Sequence, residues 1–452
     1  MLIGLVAVVA AQFVGLRRRL NRVLLSPLTL VAAGFAGMGL VGGRVYEAVQ
    51  YAPFGGSIRI VLDDDQTQLT ICLFLVATAA LLAGGGAVLL LAPRPAEKLT
   101  VRWRITVPPN VRLPALAVAT LPMAAVWIAV GPTSLMWRDR YIEAHVVNSP
   151  LLSLAVPLSM ASSLMLGSLL VSRSAPIVAL ASLVAVGYEV TYFAVGSRVL
   201  ALVPVLMVVG VSLGRERPNR WGVVSGAAVS VVLLPIPLYL RAQSAHGFWP
   251  YFEAMQVFDL QAVGVDSMLR NVFISFGLVG ATAFTVGSMP WEVFAISVNP
   301  LPGSMIGWYD IAGSERLNLY TPYAALGEVG NRGTLTVVSF YSVVGVVLGV
   351  LELRVRAHLR AGHVLAALIP VALSALFILS SYQYNLRTSC RVLLYAVLVE
   401  VLVASAASVL RRRSPTRSGP DRGVDDTRRI RSSFSLGLEP EYEDLACRHR
   451  GG

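Results

Sequence analysis

Arginine is the residue type whose placement gives this chain its chemistry. Arg198 follows Gly196 and Ser197 and directly precedes the apolar run 199–213. A helix of about 15 residues rises only about 22 Å, which draws its first residue below the lipid surface at an amide-rich N-terminus. Both features attract phosphate. The competing reading is an arginine that snorkels to the headgroups. Arg387 and Arg391 stand four residues apart, on one helical face, just after Tyr382 and Tyr384. Two guanidiniums on one face repel unless they share an anion, a fit for a diphosphate; lipid headgroups are the alternative partner. Arg316 and Arg332 add cations from the connection that precedes the run 334–351.

That connection, residues 241–333, is the largest polar segment of the chain. It contains RAQSAHGFWPYFEAM and SVNPLPGSMIGWYDIAGSERLNLYTPYAALGEVGNRG. Aromatic rings lie well on sugar faces and guanidiniums make forked bonds to phosphate, so the composition suits a carbohydrate and phosphate site. An interfacial aromatic belt with ordinary loop charges has the same composition. A structureless loop of this length is improbable, so a folded cap or a site is expected. Asn299-Pro300-Leu301-Pro302-Gly303 fixes two φ angles and ends on a permissive residue, giving a rigid bend in which Asn299 either holds the turn or meets a ligand. His246 has the pKa of a general base, yet its neighbours Phe248, Trp249 and Tyr251 also fit a packing role. Asp63, Asp64 and Asp65 either hold a cation through water or favour the start of the next helix. Glu189 lies within an apolar run, where it pairs with an arginine or carries a proton.

These residues must be positioned by membrane helices. Charged residues make up 14% of the 452 residues and hydrophobic ones 56%; a soluble chain carries about 25% charge. Apolar runs of about 15 to 24 residues recur as far as residue 410, each near the ~20 needed to cross a ~30 Å hydrocarbon core. The fold class is therefore all-α, a polytopic integral membrane helix bundle. The net charge of +12 reads as membrane orientation and not as nucleic-acid binding, because the basic residues cluster between the runs. Three cysteines, Cys72, Cys390 and Cys447, show neither metal spacing nor a disulfide framework, and there is no phosphate loop for ATP.

The expected helices are 2–16, 23–43, 69–92, 113–131, 151–171, 176–195, 199–213, 222–240, 334–351, 364–380 and 392–410. These make about 11 crossings. Basic clusters at 17–22, 94–112, 173, 215–220, 354–360 and after 411 are expected in the cytoplasm, which puts the N-terminus outside and segment 241–333 outside. The first run precedes its arginines, the reverse of a cleavable signal, and reads as a retained helix. The run 272–287 does not fit the count and is expected to re-enter or lie at the interface. Residues 1–410 form the membrane domain, and 411–452, too polar to repay ordering entropy, are expected to be a disordered cytoplasmic tail.

The chain resembles the bacterial oligosaccharide repeat-unit polymerases of O-antigen and capsule synthesis. The resemblance lies in GSRVLALVPVL at 196–206, NPLPGS at 299–304, YTPYAALGEVGNRG at 320–333 and YQYNLRTSCRVLLY at 382–395, and it spans most of 110–410. It implies a GT-C-like bundle at the plasma membrane and an inverting glycosyl transfer that needs neither metal nor cofactor. The donor and acceptor would be undecaprenyl-pyrophosphate-linked oligosaccharides among membrane lipids, and a polysaccharide chain-length regulator would be a partner. Arg198 would match the family's membrane-proximal arginine and act in catalysis; Arg316, Arg387 and Arg391 would contact pyrophosphate, with Asn299 and Tyr384 also binding substrate. His246, Glu253 and Glu328 are the candidate bases. A glycan-to-lipid-core ligase, a polyprenyl-phosphate-sugar glycosyltransferase, and a transporter or lipid-linked sugar flippase are the alternatives. A flippase would place charges deep in several helices, whereas here the polar mass lies between them.

Overall fold

The computed structural model describes residues 2–19, 26–49, 60–92, 107–141, 143–146, 149–215, 220–233, 235–259, 265–301, 303–318 and 321–413. The basic stretch 94–106, Pro302, and 414–452 with Cys447 lie outside the described residues. Two compact units divide the chain. Met1–Val403 holds both main cores and every candidate site residue, and Ala404–Gly452 is described as helix as far as Arg413.

The helices are α1 (Leu2–Arg19), α2 (Pro27–Gly37), α3 (Gly43–Val49), α4 (Asp64–Leu91), α5 (Arg112–Val130), α6 (Pro132–Met136), α7 (Glu143–Val146), α8 (Ser149–Leu169), α9 (Ala175–Val195) and α10 (Val199–Gly214). There follow α11 (Arg220–Leu233), α12 (Pro235–Arg241), α13 (Phe248–Gln256), α14 (Val265–Phe284), α15 (Trp291–Val298) and α16 (Trp308–Ile311). The last four are α17 (Ala325–Asn331), α18 (Thr334–Arg360), α19 (Val364–Gln383) and α20 (Leu386–Arg413). A π-helical turn, Met38–Gly42, joins α2 to α3. One short antiparallel pair, β1 (Arg316–Asn318) and β2 (Thr321–Pro322), lies before α17. Among the described residues, seven helices are long and apolar enough to cross a membrane, and four shorter apolar helices accompany them. The chain is an all-α helical membrane protein.

Two buried cores organise the first unit. One gathers α1, α2, α4, α14, α17, α18, α19 and α20 around Phe35, Phe74, Phe276, Tyr341, Phe377 and Tyr382. The other joins α5, α8, α9 and α10 around Leu116, Val126, Leu166, Tyr188, Tyr192 and Val203. In lipid, helices associate through close packing of small residues and not through apolar burial alone. Glycines set the closest approaches here: a Cβ on Gly345 would lie 2.2 Å from the Leu81 carbonyl oxygen, and one on Gly84 2.0 Å from that of Ser342, which locks α4 to α18. Gly167 and Gly210 play the same part between α8 and α10.

Several boundaries differ from the sequence expectation. Helix α4 begins at Asp64 because Asp63 and Gln66 form a capping box: the Asp63 carboxylate accepts from Gln66 N at 2.7 Å, and Gln66 Oε1 accepts from Asp63 N at 3.2 Å. The acidic triplet thus serves the start of a helix. Helix α18 continues to Arg360 and α20 to Arg413, since arginine is a good helix former and their basic ends need not be loops. Residues 411–413, expected in the tail, are therefore helical. Of the run 222–240, all residues but 234, which lies outside the described residues, are helical, in α11 and α12. Residues 272–284 of the run 272–287 belong to α14, which packs against α3, the N-terminal part of α4, α17 and the end of α19: Gly277 meets Tyr46, Gly280 meets Leu62 and Thr70, and Gln383 Nε2 donates to Ser275 Oγ at 2.9 Å.

Candidate functional site

The described residues of segment 241–333 are largely helical, and they bring polar side chains back onto the helix ends. Helix α9 ends at Gly196, whose φ of +72° gives a left-handed cap, and the chain turns at once into Arg198 at the start of α10. Arg138 closes this end: Nη1 donates to Ala194 O and Nη2 to Val195 O, both at 3.0 Å, placing a cation at the C-terminus of α9. A two-way backbone bridge joins Arg138 to His246, with N–H to carbonyl distances of 2.8 and 2.9 Å. Gly247, at φ +114°, permits this approach, since a Cβ there would lie 2.7 Å from the Met136 carbonyl oxygen.

Arg241, at the end of α12, donates from Nε to Gly196 O at 3.0 Å and lies 4.9 Å over the ring of Tyr141. Its charge bears directly on Arg198, as do the hydroxyls of Tyr141 and Tyr384. Burial, and then the like charge of Arg241, pulls Arg198 below its ordinary pKa. Arg198 Nε is buried without a hydrogen-bond partner. Neither arginine is in an ion pair among the described residues, whereas Arg356 pairs with Glu352 at 2.9 Å and His358 with Glu400 at 3.0 Å, on α18 and α20. Arg241 thus reaches the Gly196 carbonyl two residues before Arg198, with Tyr141 beneath its guanidinium, and neither arginine pairs with a carboxylate among the described residues. This is a composition for binding an oxyanion.

His246 is buried, with Nδ1 3.0 Å from the Tyr251 hydroxyl and its ring 5.9 Å from that of Tyr141. Burial, and then Arg138, lowers its pKa, against a smaller opposite effect of Glu143. Burial raises Tyr251 to about 12.

A second group surrounds the start of α20. The turn at Asn299 is an Asx turn in which Oδ1 accepts from Leu301 N at 3.0 Å. Its carbonyls meet two arginines in the first turns of α20: Arg391 donates from Nε to Pro300 O and from Nη2 to Leu301 O, both at 3.3 Å, and Arg387 Nη2 also donates to Leu301 O. The partner that Arg387 and Arg391 share in this structure is a carbonyl. Arg387, only 2% exposed, lies 5.0 Å over Trp308 and leaves Nε and Nη1 without partners. Glu328, fully buried in α17, accepts from Leu386 N at 3.0 Å, one residue before Arg387. Burial first, then Glu315, raises Glu328 to about 8; burial raises Glu315 to about 7.

The sequence candidates thus separate into groups. Arg198 stands at the α9–α10 turn that Arg241 reaches; Asn299, Arg387 and Arg391 come together, with Glu328 beside them through Leu386. His246 reaches the first group through Tyr141. Arg316 is exposed on β1, with Nε donating to Ala312 O at 3.2 Å, and Glu253 is exposed on α13. Arg332 instead clamps the end of α14, donating to Met289 O at 2.6 Å and stacking 5.0 Å over Trp291. Sequence reasoning missed Arg138, Tyr141 and Arg241. The signal was Trp-Arg-Asp-Arg-Tyr at 137–141, two arginines between aromatics in a short connection. No protein-family model, curated protein or solved structure matches the chain.

Proposed function

We propose that the protein is a membrane-embedded glycosyltransferase that polymerises polyprenyl-pyrophosphate-linked oligosaccharide repeat units at the outer face of a bacterial plasma membrane. The observation that carries this reading is the meeting of two arginines without a carboxylate at the α9–α10 turn: Arg198, whose Nε is buried without a partner, and Arg241, which reaches the Gly196 carbonyl over the ring of Tyr141. When the donor glycosidic bond breaks, negative charge develops on the lipid pyrophosphate. Fixed guanidiniums stabilise that charge without reorganising. The acceptor hydroxyl attacks the anomeric carbon from the opposite face and gives its proton to a base. Of the three candidates, His246 has the supporting geometry, because its ring packs edge-on to the tyrosine that carries Arg241. The tyrosine rings supply faces for sugar.

Deletion of the gene, followed by analysis of polyprenyl-linked intermediates, tests the reading. A polymerase defect leaves single repeat units exposed on the outer face and removes long surface polymer. Repeat units trapped on the inner face would indicate a flippase. Intact polymer that fails to reach its lipid core would indicate a ligase. Either result would overturn the proposal.

A further inference from the structure

We infer that the Asn299–Leu301 turn is a displaceable strap, whose carbonyls occupy the Arg387–Arg391 couple until a pyrophosphate group takes their place. This rests on reading those arginines as substrate contacts and adds a control over access to them. Two cations four residues apart share one neutral oxygen, that of Leu301, and neither has an ion-pair partner among the described residues. A carbonyl dipole does not neutralise two charges, and Arg387 retains two buried donor atoms with no acceptor. An anion is the partner this arrangement lacks. The strap is built to occupy the place: Asn299 Oδ1 holds Leu301 N at 3.0 Å, which turns the carbonyls of Pro300 and Leu301 onto α20. It lies at the surface, with Leu301 48% exposed and Tyr309, beyond it, 73% exposed. A phosphate oxygen competes for the same N–H groups with charge on its side, and a carbonyl oxygen beside that anion is repelled.

The test is hydrogen exchange on the full chain in nanodiscs, read in peptides covering 303–312, with inorganic pyrophosphate or with vesicle-borne polyprenyl pyrophosphate. Exchange is expected to rise in those peptides when pyrophosphate binds. A rise with the lipid-borne group alone assigns the strap to lipid substrate, and a rise with both assigns it to the anion itself. Asn299→Ala, which loosens the strap, is expected to lower the pyrophosphate Kd by about 3- to 10-fold, the worth of one displaced hydrogen bond. Arg391→Gln is expected to raise the Kd and also to raise exchange without ligand. Binding with unchanged or slower exchange overturns the strap and leaves the polymerase reading standing. Failure of both probes to bind the parent chain also overturns the strap, while the polymerase reading stands or falls on polymer formation at Arg198.

Discussion

Replacing Glu328 with glutamine should change the dependence of stability on pH more than stability itself. The carboxyl is fully buried, one oxygen accepts from Leu386 N, and the other has no partner. The titratable groups that bear on it are Glu315, Tyr323, Tyr341 and Cys390, none of them a cation. Burial therefore lifts its pKa from 4.5 to about 8, and the native chain holds a proton that the unfolded chain sheds. Stability from this group is complete below 4.5 and declines as the pH rises toward 8. At about 1.4 kcal/mol per pH unit, the ceiling on that loss is about 5 kcal/mol. Glutamine keeps the acceptor for Leu386 but puts an amide N–H where the unpartnered oxygen was, at a cost of about 1–3 kcal/mol. The two profiles should cross, with Glu328→Gln the less stable at about pH 5 and the more stable at about pH 9. Denaturant or thermal unfolding of the purified protein across that range measures this. Parallel profiles would refute a carboxyl held neutral in α17.

Two further expectations concern packing and topology. Gly345→Ala forces a Cβ against the Leu81 carbonyl and should destabilise the chain by about 1–3 kcal/mol, whereas Gly86→Ala, with nothing within 4 Å, should leave unfolding unchanged or slightly improved. Single cysteines at 253 and 316 should react with an impermeant reagent from outside intact cells and one at 354 should not; the reverse pattern would invert the orientation and remove the outer-face site.

Helix positions were legible because apolar runs and their basic flanks are local signals. Residues 175–195 and 199–214 follow from the sequence almost to the residue, with Gly196 marking the turn. Helix ends were less legible wherever arginine continued the helix, as at Arg360 and Arg413. The couple at Arg198 was half legible: its place before a short helix marks it, whereas Arg241 reaches it only through tertiary packing from a residue 43 positions away. The spacing of Arg387 and Arg391 put them on one helical face, but the carbonyl they share was not legible, because the 300–301 carbonyls lie about 90 residues earlier in sequence. Asp63 shows the converse case, in which a conspicuous acidic triplet is explained by local capping. The glycines that join α4 to α18 carry no periodic signal that names their partners.

The central claim is that Arg198 and Arg241 together stabilise a departing pyrophosphate. Polymer formation from a purified lipid-linked repeat unit, at matched protein abundance, measures it most directly. Arg198→Ala should lower the rate by roughly 30- to 1000-fold, equivalent to about 2–4 kcal/mol of transition-state stabilisation, with partial rescue by lysine, which restores the charge but not the planar fork. Arg241→Ala should also slow the rate, and the double variant should lose less than the sum of the two single losses in free energy because both guanidiniums serve one anion. A correctly inserted Arg198→Ala protein that keeps more than about half the parental rate, a change of less than ~0.5 kcal/mol, would contradict the account.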